Sequence, residues 1–371
     1  MSMSAVEWKK LGDVCEVGTG SNNREDACYN GLYPFYVRSK DVLRINKYLF
    51  DEEAIIIPGE GGIGDIFHYA NGKYGLHQRA YRVHPIDDEV VCKYLYYYLS
   101  DKFKQYIISK SVGATATSIR KPMLEGFMLP IPSLAKQQEI VSHLDTFTTL
   151  ISNLESELDM RRKQYEHYRN QLLDISDKDS SYIVPFGDIC KIIRGNGVQK
   201  SDFVDVGVGC IHYGQIYTYY GSYSYTTNRF VSQDVFNKAV KASKGDIIMT
   251  DTSENVEDIC KSVAYLGDED IAVSNHSFII KHNQNPKYLS FCTLTYSFGL
   301  QKKKVVFGAK VSSIKQDNLA KINIYLPPIE EQNQIVSKLD TFKNLIQSLE
   351  QEIKLRKQQY EYYREKLLTF E

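Results

Sequence analysis

Residues Gly113 to Ile175 realign without a gap on Gly308 to Phe370, a shift of 195 positions, and this repeat constrains the fold more than any other feature. The clearest stretch sets Ile140-Val-Ser-His-Leu-Asp-Thr-Phe147 against Ile335-Val-Ser-Lys-Leu-Asp-Thr-Phe342, and about half of the positions from Pro132 onward are identical. Internal repetition governs architecture ahead of local propensity. Two copies on one chain predict two similar modules related by a pseudo-twofold axis, able to present different faces to one symmetric or extended partner.

The repeated tails read as long helices. Apolar residues fall at Ile140, Leu144, Phe147, Ile151, Leu154 and Leu158, then at Tyr165, Tyr168 and Leu172. The second copy places Ile335, Leu339, Phe342, Ile346, Leu349 and Ile353, then Tyr360, Tyr363 and Leu367. Steps alternating between 4 and 3 give the 3.5-residue period of a coiled coil. Arg161 and Arg356 interrupt the seam at matching places, and a polar seam residue fixes register at a cost in stability. Pro132 and Pro327-Pro328 stand before the helices, as at a helix start. Roughly 42 residues at a rise of 1.5 Å make a rod of about 60 Å, too long to cover one small core. The two rods either pair with each other, antiparallel, or each pairs with a different protein; intramolecular pairing is the simpler arrangement.

The remaining segments are rich in Gly, Tyr and β-branched residues, with short apolar runs such as Ala54-Ile-Ile-Ile57, Ala80-Tyr-Arg-Val83, Asp246-Ile-Ile-Met249 and Ser277-Phe-Ile-Ile280. Turn signals separate these runs, predicting mixed domains of short strands with a few helices. The expected fold class is α+β: two mixed α/β domains, residues 1–133 and 179–328, with helices over 134–178 and 329–371 forming an antiparallel coiled coil. Lys93-Tyr-Leu-Tyr-Tyr-Tyr-Leu99 matches Lys287-Tyr-Leu-Ser-Phe-Cys-Thr-Leu294 in position. Its tyrosines suggest base stacking, but a buried helix packed on the sheet is the plainer reading. The globular segments share a lead-in (LGDVCEVGTG, FGDICKIIRG) and an exit (GATATSIRKPMLEGFMLPIP, GAKVSSIKQDNLAKINIYLPP) and little between. One scaffold with different loops suits two readers of different targets.

At 371 residues the chain is long enough for two ordinary cores. No apolar run reaches the roughly 18 residues of a membrane span, and the start MSMSAVEWKKLGD lacks the apolar stretch of a signal peptide. Seven scattered cysteines form no C-x-x-C pair, so neither a zinc site nor a disulfide framework is expected, and the cytoplasm is the expected setting. Cys15 and Cys190 occupy matching places among apolar neighbours and read as buried structural thiols.

Catalytic signatures are missing. Gly59-Glu-Gly-Gly-Ile-Gly64 is a formal G-x-G-x-x-G, but Asp65 to Gly72 reads as strand and turn, and the matching Thr250 to Asn255 has no glycine. A dinucleotide site needs a helix there. The histidines have no metal-site spacing, so no metal is expected. What recurs is basic and hydroxyl density around the two Gly-Ala turns, suited to the phosphates of double-stranded DNA: Thr115, Thr117, Ser118, Arg120 and Lys121 in one copy, and Lys304, Lys310, Ser312, Ser313 and Lys315 in the other. Lys102, Lys104 and Lys302 flank the same turns. Candidate readers of base edges are Arg38, Ser39, Lys40, His77, Gln78 and Arg79 in the first domain, and His212, Tyr213, Gln215, Asn275 and His276 in the second. A DNA-binding domain is often strongly basic, so a net charge of −1 argues against nucleic acid, although an average hides local clusters such as these.

Two variable domains alternating with two repeated helices, each helix opened by a motif such as LPIPSLAKQQEIVSHLD or LPPIEEQNQIVSKLD, resemble the specificity subunit of a type I restriction-modification system. The resemblance covers essentially the whole chain. It implies two target recognition domains, each reading half of a bipartite asymmetric DNA site, with the helices as a ruler for the unread gap. It implies no catalysis by this chain and no cofactor on it. Two methyltransferase subunits would bring S-adenosylmethionine, and restriction subunits ATP with Mg. Four residues inserted near Asp174 to Lys178 should then lengthen the gap, and exchanging residues 35–82 should change one half-site. The alternatives are a coiled-coil scaffold, or an orphan specificity subunit that exchanges into another complex.

Overall fold

The computed structural model describes residues 6–86, 88–110, 118–308 and 310–370. They form two compact units, residues 1–155 with 351–371, and residues 156–350. Each long helix contributes to both units.

In the first unit a sheet runs in the order Cys15–Thr19, Ala80–Pro85, Phe50–Pro58, His68–Leu76, Tyr33–Tyr36, Val42–Ile45. Its central strand explains the continuous run Ala54-Ile-Ile-Ile57: all four residues are 0% exposed because both faces are covered. Successive side chains point to opposite faces. Ile55 and Ile57 join Leu95, Leu99 and Phe103 of the helix Cys92–Lys110, while Ala54 and Ile56 join Tyr36, Tyr74 and Leu76 on the other side.

The second unit repeats this core. Cys190–Arg194, Ser277–His282, Ile247–Thr250, Ser262–Tyr265 and Tyr223–Ser224 stand in the same spatial and chain order as the first five strands above. The pairings match as well. Both sheets are antiparallel except where the fifth strand runs parallel to the fourth, Phe35 opposite Gly75 in one and Tyr223 opposite Ala264 in the other. Ile247 and Met249 pack with Tyr288, Leu289 and Phe291. Ile248 and Ile279 face Ile211, Ile216 and Val273, which link to a further sheet of Phe203–Val204, Arg229–Val231, Val208–Ile211, Ile271–Val273 and Lys241–Ala242.

The tyrosine-rich helices are core elements. Tyr94 and Tyr288 are fully buried, and their hydroxyls donate to the carbonyls of Pro130 and Tyr325 at 2.9 and 2.7 Å. That burial removes them from base stacking. The glycine-rich segment is a turn between two strands, with Gly61, Gly62 and Gly64 all at positive φ, and the element that follows is the strand His68–Leu76. No helix N-terminus stands there to hold a pyrophosphate. Cys15 is buried and Cys190 half-buried, and neither forms a disulfide; burial pushes the Cys190 thiol up to about 12.

The long helices span Leu134–Leu173 and Ile329–Leu367 and pair antiparallel within each unit. In the first unit Phe147 stacks on Tyr363 with centroids 5.4 Å apart, and Lys357 Nζ lies 2.6 Å from Glu155. In the second, Tyr168 stacks on Phe342 at 5.2 Å, and Arg162 meets Glu350 at 2.6 Å. These are the same contacts under the repeat shift. Leu144 and Leu339 are fully buried and Ile353 nearly so; Ile151, Leu154, Leu158, Ile346 and Leu349 are half-buried, as befits a two-helix seam. The seam arginines depart from expectation. Arg161 bonds Glu157 and Gln164 of its own helix, and Arg356 bonds Glu352 and Gln359 of its own. Register is carried instead by the aromatic stacks and the ion pairs across the seam.

Candidate nucleic-acid interface

In each unit the central strand ends in a loop that collects charged side chains. In the first, Gly59 N–H donates to the Arg79 carbonyl at 3.0 Å, and the Gly59 carbonyl accepts from Ile119 N–H at 2.8 Å. In the second, Asp251 N–H donates to the His276 carbonyl at 3.1 Å, and the Asp251 carbonyl accepts from Ile314 N–H at 3.0 Å. Gly59 and Asp251 are therefore equivalent backbone positions. Because Ile119 and Ile314 belong to the repeated exit motif, the constant part of the chain anchors the variable loop.

Beside this anchor in the first unit stands Glu60. Its carboxylate accepts from Arg38 Nη1 at 2.8 Å and from Arg79 Nη1 at 3.2 Å, and these two bonds hold its carboxyl below the usual range. Arg38, Ser39, Glu60 and His77 line an open cleft of about 340 Å³. Lys40, Gln78 and Arg79 are exposed, with Gln78 Nε2 donating to Asn23 Oδ1 at 2.6 Å. His77 departs from the expected protruding reader. It is 5% exposed, and its Nδ1 accepts from the Arg79 N–H at 3.0 Å, so it shapes the turn that presents Arg79.

In the second unit, Asp251 Oδ2 lies 3.2 Å from Arg194 Nη2, and Oδ1 lies 3.8 Å from His276 Nδ1. Burial raises the Asp251 carboxyl despite the Arg194 guanidinium beside it. His276 is held at φ 62°, a conformation that costs a non-glycine residue about 1–3 kcal/mol and clusters at functional sites. Lys200, His212, Tyr213, Asn275 and His276 line a cleft of about 360 Å³. Another, of about 470 Å³, takes in Lys200, His212, Gln215, Tyr219 and Arg229. His212 and Gln215 serve the scaffold more than the surface: His212 Nδ1 accepts from Gly214 N–H at 3.1 Å, and Gln215 Oε1 accepts from His212 N–H at 2.8 Å, a reciprocal helix cap. Tyr213 lies between His212 and His276, its ring 4.5 and 5.3 Å from theirs.

Around the exit turns the picture is mixed. Thr115 and Thr117 lie outside the described residues. Ser118 is half-buried, whereas Arg120, Lys121, Lys304, Lys310 and Lys315 are exposed and remain suited to phosphates. Ser312 is buried, its short strand Ser312–Ser313 paired with Thr252–Ser253, so its hydroxyl is withdrawn from such a role. Lys302 is also withdrawn: burial lowers its ammonium, which donates to the carbonyls of Glu257 and Ile259, each at 2.8 Å. Lys102 and Lys104 are paired with Asp101 and Asp65.

Sequence reasoning missed Glu60, Asp251 and Arg194. A signal existed: an acid follows the buried central run in both copies, IIIPGE and IIMTD. The lead-in glycine was equally readable. A Cβ on Gly20 would lie 1.8 Å from the Leu76 carbonyl oxygen, and one on Gly195 would lie 2.4 Å from that of Ser274, so each glycine lets the lead-in strand pass against the loop bearing His77 or Asn275. Among the described residues no group of His, Cys, Asp and Glu is placed to hold a metal, and no helix is long and apolar enough to cross a membrane.

Four histidines titrate against the fold. Burial lowers His68 and His77 in the first unit, and His212 and His282 in the second, below the ordinary 6.5. Their neutral forms favour the folded state, so this contribution is complete above 6.5 and is lost as the pH falls toward the depressed values. The melting temperature is expected to drop between about pH 7 and pH 5, and His282→Gln should flatten part of that drop. A melting temperature constant over this window would contradict the assignment.

A family profile described as the type I restriction modification DNA specificity domain matches residues 3–160 and again 179–355. A Haemophilus influenzae protein provisionally named a type I restriction enzyme specificity subunit is 27% identical over 394 residues, covering 99% of this chain and 96% of that protein. A type I restriction enzyme specificity subunit of Escherichia coli is 28% identical, covering 76% of this chain and 72% of its own. Among solved structures, the type I S subunit of Mycoplasma genitalium superposes with a TM-score of 0.61 at 15% identity, covering 100% of this chain and 99% of that one. A chain from a study of complex assembly in a type I system gives 0.60 at 13% identity, covering 98% and 97%.

Proposed function

Since the chain belongs to the type I restriction-modification DNA specificity family, we propose that each of its two domains reads one half of a bipartite, asymmetric duplex site. The chain is a specificity component and not itself the enzyme. The observation that carries this reading is the pair of matching five-strand cores with unlike side chains on equivalent loops: Arg38, Glu60 and Arg79 in one, Arg194, Asp251 and His276 in the other. Base identity is read by hydrogen bonds in the grooves, while exposed lysine and arginine meet phosphates.

The paired helices are the spacer and the dock. Docking of two methyltransferase subunits is supported by apolar residues left exposed at equivalent helix positions, Leu150 with Leu345 and Met160 with Leu355. Each unit thus offers one copy of the same surface. S-adenosylmethionine would reside on those subunits, ATP with Mg on restriction subunits, and the assembly would work in the cytoplasm. Exchanging residues 20–79 for those of another such domain, in the complete methyltransferase complex, should alter the first half-site alone when methylated adenines are mapped by sequencing. A change in both halves, or in neither, refutes the division of labour.

A further inference from the structure

The carboxylates at the ends of the central strands sit oddly on a surface meant for a polyanion. A carboxylate there repels phosphate and weakens sequence-independent attraction. Yet Glu60 and Asp251 occupy neighbouring positions on equivalent backbone, and each stands between side chains from two separate strand ends: Glu60 between the guanidinium groups of Arg38 and Arg79, Asp251 between the Arg194 guanidinium at 3.2 Å and the His276 imidazole at 3.8 Å. Arg38 follows the strand Tyr33–Tyr36, and Arg79 precedes Ala80–Pro85. Arg194 ends Cys190–Arg194, and His276 precedes Ser277–His282. Arg79 and His276 stand at the same place in the fold.

We propose that Glu60 and Asp251 position these side-chain pairs to read a G·C base pair in each half-site, Arg38 and Arg79 in the first and Arg194 with His276 in the second. This rests on the reading of the two domains as halves of a bipartite reader. Guanine offers O6 and N7 to a guanidinium fork, and cytosine offers an N4 amino group to a carboxylate. An arginine alone is mobile and meets phosphates as readily as base edges. One bonded to a carboxylate presents its remaining donors in a fixed plane.

The two clamps differ in reach. The Glu60 side chain is 38% exposed, so it can itself accept from cytosine N4. Asp251 is 4% exposed and acts only through Arg194 and His276. Glu60 is therefore both a reader and a positioning residue, and Asp251 a positioning residue alone.

The test uses the whole chain with its methyltransferase subunits on random-sequence duplex DNA, mapping methylated adenines. Glu60→Gln is expected to relax discrimination at one G·C pair of the first half-site by ten- to a hundredfold, with the second half-site and the gap unchanged. Asp251→Asn should do the same in the second half-site only. A uniform fall in methylation with the motif intact, or relaxation at A·T pairs, would overturn the assignment. Should Asp251→Asn fail to fold, Arg194→Lys decides that clamp, since Arg194 is exposed; Arg38→Lys must likewise relax the same base pair as Glu60→Gln. A wild-type complex that yields no bipartite motif would overturn the parent reading instead, which keeps the two failures apart.

Discussion

Replacing Gln137 by leucine is expected to destabilise the first unit by about 2–6 kcal/mol, and Gln332→Leu to do the same to the second. Gln137 is 0% exposed and Gln332 1%, although both lie in the first turns of helices whose neighbouring polar residues face solvent. Gln137 Oε1 accepts from Val91 N–H at 2.8 Å, while Nε2 donates to the carbonyls of Glu89 and Pro132 at 2.8 and 2.9 Å. Gln332 repeats this with Asn285 N–H at 3.1 Å, Gln284 Oε1 at 2.9 Å and the Pro327 carbonyl at 2.8 Å. One side chain thus ties the helix start to the loop before the core helix.

Leucine fills nearly the same volume, so little cavity cost enters. The loss comes from stranding the half-buried Val91 amide and the buried Pro132 carbonyl, or their counterparts at Asn285 and Pro327, at about 1–3 kcal/mol for each group left without its partner. Against a typical total of about 5–15 kcal/mol, that is a large share. Urea unfolding would measure it, with the exposed neighbours Gln138→Leu and Gln334→Leu expected to move stability by less than about 0.5 kcal/mol. Equal effects at Gln137 and Gln138 would sink the idea of a buried hub.

The repeat made the helices legible because a 3.5-residue period survives substitution: any large apolar residue keeps the seam. The hub was written in the same motif, QQEI and QNQI, but polar residues at a helix start read by default as solvated. The shared five-strand core left little trace in the sequence. A strand buried on both faces needs only apolar bulk, and Ala54-Ile-Ile-Ile57 and Ile247-Ile-Met249 meet that need with different residues. The carboxylates escaped because they are offset by one position. Asp251 aligns with Gly59 by its backbone bonds, while the acid of the first unit is Glu60. The histidines misled for a related reason: imidazole that caps a turn and imidazole that reads a base look alike in sequence, and only burial separates His77 and His212 from His276.

Lengthening both long helices by one heptad is expected to widen the unread gap by about three base pairs. Seven residues at 1.5 Å add about 10 Å, and successive base pairs rise about 3.4 Å. The insertions belong between Leu158 and Asp159 and between Ile353 and Lys354, equivalent points of the repeat. Each lies between the residues of the two ion pairs, Glu155 and Arg162 on one helix, Glu350 and Lys357 on the other. A heptad keeps the seam facing its partner, whereas a shorter insertion rotates it away. The link after the first helix, which the sequence suggested for lengthening, is unsuitable. Asp174 accepts from Ser297 N–H at 2.7 Å and Asn170 from Tyr296 N–H at 3.2 Å, so the helix end is bonded to the start of the helix Tyr296–Val305. Four residues placed there would break that junction instead of extending the rod. A heptad in one helix only cannot keep both aromatic stacks, Phe147 on Tyr363 and Tyr168 on Phe342, and is expected to abolish site-specific methylation. For the matched pair, sequencing of methylated adenines should return both original half-sites with a longer gap. An unchanged gap would show that the helices do not set the distance, and altered half-sites that they do more than set it.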